Sequence, residues 1–209
     1  MTTTAGSSAA PSAGPSAVPA PLDALVRHFT DLREGTHAGH ADRPSKETAF
    51  SEAAELLDAP ARQVLAEFDT HLLLGTGTIR ATGLRRDQYG GHFAAWRLTW
   101  PEQRRAGITA LTLHAHYGAG FHHPHLRGAT VAEWPLNVFT PAQAAELVPT
   151  LRAIVAADLH NLVFQRDWRI VPALRDHGHH PHPHPDPHPD QPTTTAADAA
   201  APTPNEVRP

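Results

Sequence analysis

The residues best equipped for chemistry in this chain are histidines. Five of them crowd one twelve-residue stretch, His114-Ala-His116-Tyr-Gly-Ala-Gly-Phe-His122-His123-Pro-His125. His114 and His116 stand two apart in a segment of alternating polarity. On a β-strand such positions project from one face, so both imidazoles can reach one ion. Gly118 to Gly120 supplies a turn that brings His122, His123 and His125 back toward the strand end. Imidazole suits Zn, Fe, Cu and Ni. A three-His or two-His-one-carboxylate set with one position open is catalytic in form. The expected metal ligands are therefore His114, His116, His122, His123 and His125, with His160 as an outlying candidate. Glu133 and Asp158 are the acids suited to act as general base, as carboxylate ligand or as support for a ligand. The same pattern also fits the solvent side of an ordinary strand ended by a His-Pro pair. His160, set in an apolar helical stretch, equally suits a structural histidine.

A second histidine tract, His177-Gly-His179-His180-Pro-His182-Pro-His184-Pro-Asp-Pro-His188, is of another kind. Alternating proline keeps such a segment extended, and its imidazoles can bind Ni, Cu or Zn through shifting sets. It suits a chelating tail and a spacer alike.

Other chemistries are screened out by what the chain lacks. It has no cysteine, hence no disulfide, no thiolate ligand and no thiol nucleophile. Gly75-Thr-Gly77-Thr has neither the lysine nor the following helix of a phosphate loop, and no Gly-x-Ser-x-Gly elbow occurs. A net charge of −4 with neutral histidine argues against a nucleic-acid footprint. No apolar stretch approaches the ~20 residues of a membrane span. The N-terminus has no basic region followed by an apolar one, so a cytoplasmic location is expected.

The elements that must position the histidines fall in a central region, residues 22–174, as one α+β domain. Residues 1–21 are Ala, Ser, Thr, Gly and Pro, and residues 175–209 are rich in His and Pro. Both are expected to be disordered tails, since neither buries enough apolar surface to offset the entropy of ordering. Leu22, Leu25, Val26, Phe29 and Leu32 predict an amphipathic helix over 22–34, stopped by Gly35. Ser45 is expected to cap a second helix, with a break and restart near Asp58 and Pro60. Then the period changes to two, predicting an antiparallel meander of about four strands at 72–80, 93–100, 108–117 and 130–139. On the third, Leu111, Leu113, Ala115 and Tyr117 share one face, opposite Thr112, His114 and His116. Thr140-Pro141 starts the C-terminal helices, with a break at Pro149. Helices, then strands, then helices is an α+β order.

The stretch Tyr89-Gly-Gly-His-Phe-Ala-Ala-Trp96-Arg-Leu98-Thr-Trp100-Pro101 resembles the second-to-third strand region of ubiquitin-conjugating (E2) domains. Phe121-His-His123-Pro124-His125 resembles that family's His-Pro-Asn segment, and helices follow in both. The family's catalytic cysteine would fall near Glu133, and this chain has none. The resemblance therefore implies an E2-like fold without conjugating activity, used to bind a protein partner.

Three functions follow as expectations. One is a His-based metal-binding protein, extending to a metal-dependent enzyme that acts on a small molecule. In it a divalent transition metal (Zn, Fe, Cu or Ni) serves as Lewis acid or O₂ centre, and Glu133 or Asp158 handles protons. Another is the non-catalytic interaction domain. The third is a metal store or chaperone acting through the His-rich tail.

Overall fold

A computed structural model describes residues 19–176 of the chain. The tail expectations for residues 1–18 and 177–209 lie outside the described residues. Helix α1 (Ala20–Glu34) is followed by a long helix α2 (Arg43–Leu72). Six short strands come next: β1 (Thr78–Ala81), β2 (Arg85–Arg86), β3 (His92–Thr99), β4 (Leu111–Tyr117), β5 (His125–Arg127) and β6 (Trp134–Pro135). A single helical turn, α3 (Pro101–Arg105), sits between β3 and β4. The described residues end in α4 (Pro141–Glu146), α5 (Val148–Gln165), a 3₁₀ turn (Trp168–Ile170) and α6 (Ala173–Asp176). Every strand pairing is antiparallel, in the order β1-β3-β4-β5-β6, and β2 extends the β1 edge along β3. The α+β fold is thus the expected one.

The core lies between one face of this sheet and the helices. Alternation puts Ala94, Trp96 and Leu98 of β3 on that face with Leu111, Leu113, Ala115 and Tyr117 of β4 and Leu126 of β5, all buried. Phe50, Leu57, Val64 and Leu65 of α2 and Leu151, Val155 and Leu162 of α5 close it from above. The opposite face carries Phe93, Arg97, Thr112, His114, His116, His125 and Arg127, as the register requires.

Several expected boundaries move. Asp42, not Ser45, caps α2; its side chain accepts the Ser45 N–H at 2.9 Å. The break at Asp58 and Pro60 does not occur, because α2 continues through Pro60 to Leu72. A proline here forfeits one backbone hydrogen bond and crowds the carbonyl four residues back. Packing of Val64 and Leu65 beyond it holds the helix together, and Asp58 accepts the Trp96 indole N–H at 2.8 Å. Residues 73–77 form a turn rather than the start of a strand, with Leu74 and Gly75 at positive φ. A side chain at Gly77 would run into Asp69 and Leu98. The strand expected at 130–139 is mostly loop, with only the two-residue β6 inside it, and the strand that pairs with β4 is β5, which precedes it.

Thr140 caps α4 as expected, accepting the Gln143 N–H at 3.2 Å, and the helical run bends before Pro149. Within residues 141–165 an 18-residue window has the length and composition of a membrane span, with a mean hydropathy of 1.3. That corrects the expectation that no segment comes near one. In the fold one side of this run is the core-facing side of α5, with Leu151, Val155, Asp158 and Leu162 buried.

Helix α1 is amphipathic, as its spacing predicts, but it is turned over. Leu22, Val26, Phe29 and Leu32 are each at least half exposed. The side turned toward the domain carries Ala24, Leu25, Arg27, His28 and Asp31.

Candidate metal centre

Two groups of histidine and carboxylate side chains meet around β5. In each group the potential ligand atoms lie within 4.8 Å of one another.

The first group is Asp31, His37 and His123. Asp31 is on the inward side of α1, three residues after His28, so the two side chains share one helix face. Gly35 ends the helix in the left-handed conformation (φ 69°), and Thr36 donates its N–H to Asp31 O at 2.9 Å and its hydroxyl to Asp31 Oδ1 at 2.9 Å. That leaves Oδ2 free. His37 and His40 then exchange both backbone hydrogen bonds at 2.9 Å around Ala38 (φ 52°) and Gly39 (φ 76°). Two positive φ values in a two-residue hairpin loop are the mark of a type I′ turn. His37 is thereby carried inward, with no exposed surface, and His123 is 3% exposed.

His37 Nδ1 lies 3.8 Å from Asp31 Oδ2. That is too far for a hydrogen bond, and near enough for two ligands of one ion. The His123 ring stands edge-on to both His28 and His37, with centroids 5.1 and 6.0 Å away. Two imidazoles bound tetrahedrally at ~2.0 Å would put their ring centres roughly 5 Å apart. Both nitrogens of His37 and the Nδ1 atoms of His28 and His123 are buried without a hydrogen-bond partner.

The second group is His116, His125 and Glu133 on the other side of β5. His116 and His125 are register partners on β4 and β5, with ring centres 5.9 Å apart. Glu133 Oε2 comes within 3.3 Å of His116 Nε2 from the loop after β5. Phe121 covers the pair, 5.1 Å from the His125 ring and 5.6 Å from that of His116. Nδ1 of each histidine is buried and unpartnered. The His116 side chain is 12% exposed and that of Glu133 43%, so this group opens outward where the first is closed.

Burial holds all of these imidazoles below the usual histidine range. His37 and His123 are pushed down to about 4, chiefly by desolvation. For His28, burial is reinforced by the His125 charge. For His116 and His125 burial lowers the value and Glu133 opposes it. Neutral imidazoles keep the lone pair that an ion needs. The Lys46 ammonium, which donates to Gly35 O at 2.8 Å, adds to the depression at His37 and His123.

His28 touches both groups, 5.1 Å from His123 and 6.5 Å from His125. The rings of His37, His123, His28, His125, His116 and His114 thus form one continuous file.

The expected site residues divide. His116, His123, His125 and Glu133 stand in the two groups. His114 stacks on His116 at 5.2 Å, but its Nδ1 accepts from Arg127 Nε at 2.9 Å. Burial and the Arg127 charge hold it down to about 4. His122 and His160 are exposed and belong to neither group. Asp158 is buried and accepts from Ala129 N, Thr130 N, Thr130 Oγ1 and Val131 N at 2.6–3.1 Å, which fixes the loop leading to Glu133. Both of its oxygens are engaged by that loop. A Cβ at Gly128 would lie 2.6 Å from those oxygens.

His28, Asp31 and His37 are the site residues that sequence reasoning misses. The available signal is the three-residue spacing of His28 and Asp31 on one helix, with a histidine two residues past the helix-ending glycine. No protein-family model, no curated protein and no solved structure matches the chain.

Proposed function

We propose that this chain is a histidine-based metal-binding protein. In this reading Asp31, His37 and His123, completed by His28, hold one transition-metal ion in a closed, structural setting. His116, His125 and Glu133 form a second, open set suited to catalysis on a small molecule. The observation that carries the reading is His37, a fully buried imidazole with neither nitrogen hydrogen-bonded. Each buried polar atom left without a partner costs about 1–3 kcal/mol, and native structures contain few of them. An ion supplies the missing partner and balances the Asp31 carboxylate beside it. The inversion of α1 points the same way, since a helix gains nothing from hydrophobic burial by turning its polar stripe inward.

Donor chemistry limits the ion to Zn, Fe(II), Cu or Ni. Two histidines and one carboxylate with remaining positions open is a ligand set shared by catalytic zinc and non-haem iron sites. There the ion, held by His116, His125 and Glu133, would act as a Lewis acid toward a small substrate entering from the exposed side.

Elemental analysis tests this on a chain ending at Gly178, purified without metal affinity and dialysed against a weak chelator. One or two equivalents of a single metal are expected, with one lost in His37→Ala and another lost independently in His116→Ala. Retention of no metal, or of metal indifferent to both substitutions, sinks the reading. Binding seen only in the full chain transfers the activity to the His-rich segment 177–188.

A second reading, the cysteine-less E2-like domain that binds a protein partner, is favoured by one observation: the exposed apolar stripe Leu22, Val26, Phe29 and Leu32. In that case Phe29→Glu abolishes partner binding and leaves metal content unchanged.

A further inference from the structure

The outer face of the sheet beside the open histidine set is more cationic than its neighbours can balance. Arg80 of β1 and Arg97 of β3 are register partners, so two guanidinium-bearing residues stand directly opposite each other. Like charges in that position are destabilising in an antiparallel pair. Arg127 of β5 is on the same face, opposite His114. Its Nε donates to His114 Nδ1 at 2.9 Å, and the residue is exposed. Among the described residues none of these three arginines has a carboxylate partner, while nine arginine–carboxylate ion pairs are made by other arginines.

Arg97 and Arg127 line one cleft of about 550 Å³, within the usual size of a small-molecule site. Thr109, Thr112, His114 and the loop from Gly128 also line it. At the end of that loop Glu133 lines the same cleft, its carboxylate 3.3 Å from His116. The cleft therefore joins two unpaired guanidiniums to the open ligand set. A divalent ion there would add to the positive charge already present. An anion between the arginines would offset both.

We infer that this cleft binds a small oxyanion-bearing molecule, a carboxylate or a phosphate ester, with its anionic group between Arg97 and Arg127 and its other end toward His116, His125 and Glu133. The direction of binding rests on the metal reading above; the anion cleft itself does not. Arginine suits the role, since its planar fork matches carboxylate and phosphate oxygens and stays charged at any working pH. Anion and metal are then linked, each raising the affinity of the other by the same factor.

The test is calorimetric titration of the full chain with inorganic phosphate and, separately, with malonate, at fixed ionic strength. Both the chelator-treated and the Zn-loaded protein are used. Saturable binding of at least one anion is expected in both states, tighter when Zn is loaded. Arg97→Gln and Arg127→Gln should each weaken it roughly tenfold. Arg166→Gln, an exposed arginine outside the cleft, should leave it unchanged, and His116→Ala should remove only the gain from Zn. Unfolding midpoints of all four variants exclude loss of fold as the cause. Preference for phosphate or for malonate names the oxyanion class.

Binding that is indifferent to Arg97→Gln and Arg127→Gln, or weakened equally by Arg166→Gln, overturns the inference and leaves the metal reading standing. Arginine-dependent binding in a protein that takes up no Zn has the reverse meaning: the cleft stands and the metal centre falls.

Discussion

The guanidinium of Arg43 lies over the ring of Tyr117, 3.6 Å from its centre. From there it donates to the carbonyls of Tyr117, Gly118, Ala119 and Phe121 at 3.1–3.3 Å, while its Nε pairs with Glu47 at 2.8 Å. One residue at the start of α2 thus ties down the whole turn between His116 and His123. The two histidine groups keep their relation across β5 because that turn is fixed.

Arg43→Ala should therefore act on both stability and metal binding. Loss of several charge-assisted hydrogen bonds and a stacked cation should cost about 2–3 kcal/mol. Arg43→Lys should recover little, since an ammonium cannot serve four carbonyls and a carboxylate at once. Urea denaturation gives the first quantity. Amide exchange at residues 118–123 checks the cause, with loss of protection concentrated there.

Asp158 supports a different loop, and its substitution should separate the two groups. Asp158→Asn replaces an acceptor of four hydrogen bonds with a side chain that points N–H groups at N–H donors. Breaking such a buried charged network costs about 3 kcal/mol or more. The loop from Gly128 to Glu133 loosens, so metal at His116, His125 and Glu133 should be lost, while metal at Asp31, His37 and His123 is retained. Gly128→Ala should reproduce the defect, because its Cβ would press on the same carboxylate. Equal loss from both groups would show that they are not independent.

How far the sequence reveals this arrangement depends on which physical force sets each element. β4 is legible because one force, burial of alternate residues, decides it, and Leu111 to Tyr117 alternate without exception. The meeting of His116 and His125 is legible in part, through the glycines that turn the chain between them. Continuity of α2 is not, because Pro60 is a local signal overridden by packing of residues far away in sequence. Helix α1 shows the limit most plainly. Its apolar stripe reads as the side that carries the packing, whereas the polar stripe with His28 and Asp31 is the one facing the domain. Periodicity finds the two faces of a helix, and long-range contacts choose between them. His37 adds a tight turn whose geometry rests on Gly39, with no regular pattern around it.

An exposed clamp joins the two main helices. Arg152 of α5 donates two hydrogen bonds to Glu67 of α2, at 2.6 and 2.8 Å. These, with help from Gln63, hold the Glu67 carboxyl down to about 2. A carboxyl whose value is lower in the folded state stabilises the fold above its unfolded value, near 4.5, and that contribution disappears as pH falls toward 2. Both groups are solvent-exposed, so salt should weaken the effect. Thermal unfolding of Glu67→Gln should match that of the parent chain near pH 2 and fall below it above pH 5, with the gap narrowing in 1 M salt.

The metal-free chain should show a separate and larger acid transition that originates at His37. Its imidazole titrates near 6.5 when unfolded and near 4 when folded, because burial disfavours the charged form. Between those values the unfolded chain takes up the proton and the folded chain does not, so stability falls as pH drops from 6.5 to 4 and levels off below. A difference of that size corresponds to about 3 kcal/mol at most. His123, also held down to about 4, contributes in the same window. Unfolding free energies of chelator-treated protein between pH 4 and 8 should follow this slope, and His37→Asn should make it shallower while leaving the part due to His123. Zn added at pH 7 should stabilise the parent chain more than the variant, which keeps only the set at His116, His125 and Glu133, and the gain should vanish as protons displace the ion from its ligands. A metal-free stability that is flat from pH 4 to 7 would mean that His37 is charged in the folded chain, and the site would then lose its claim on a cation.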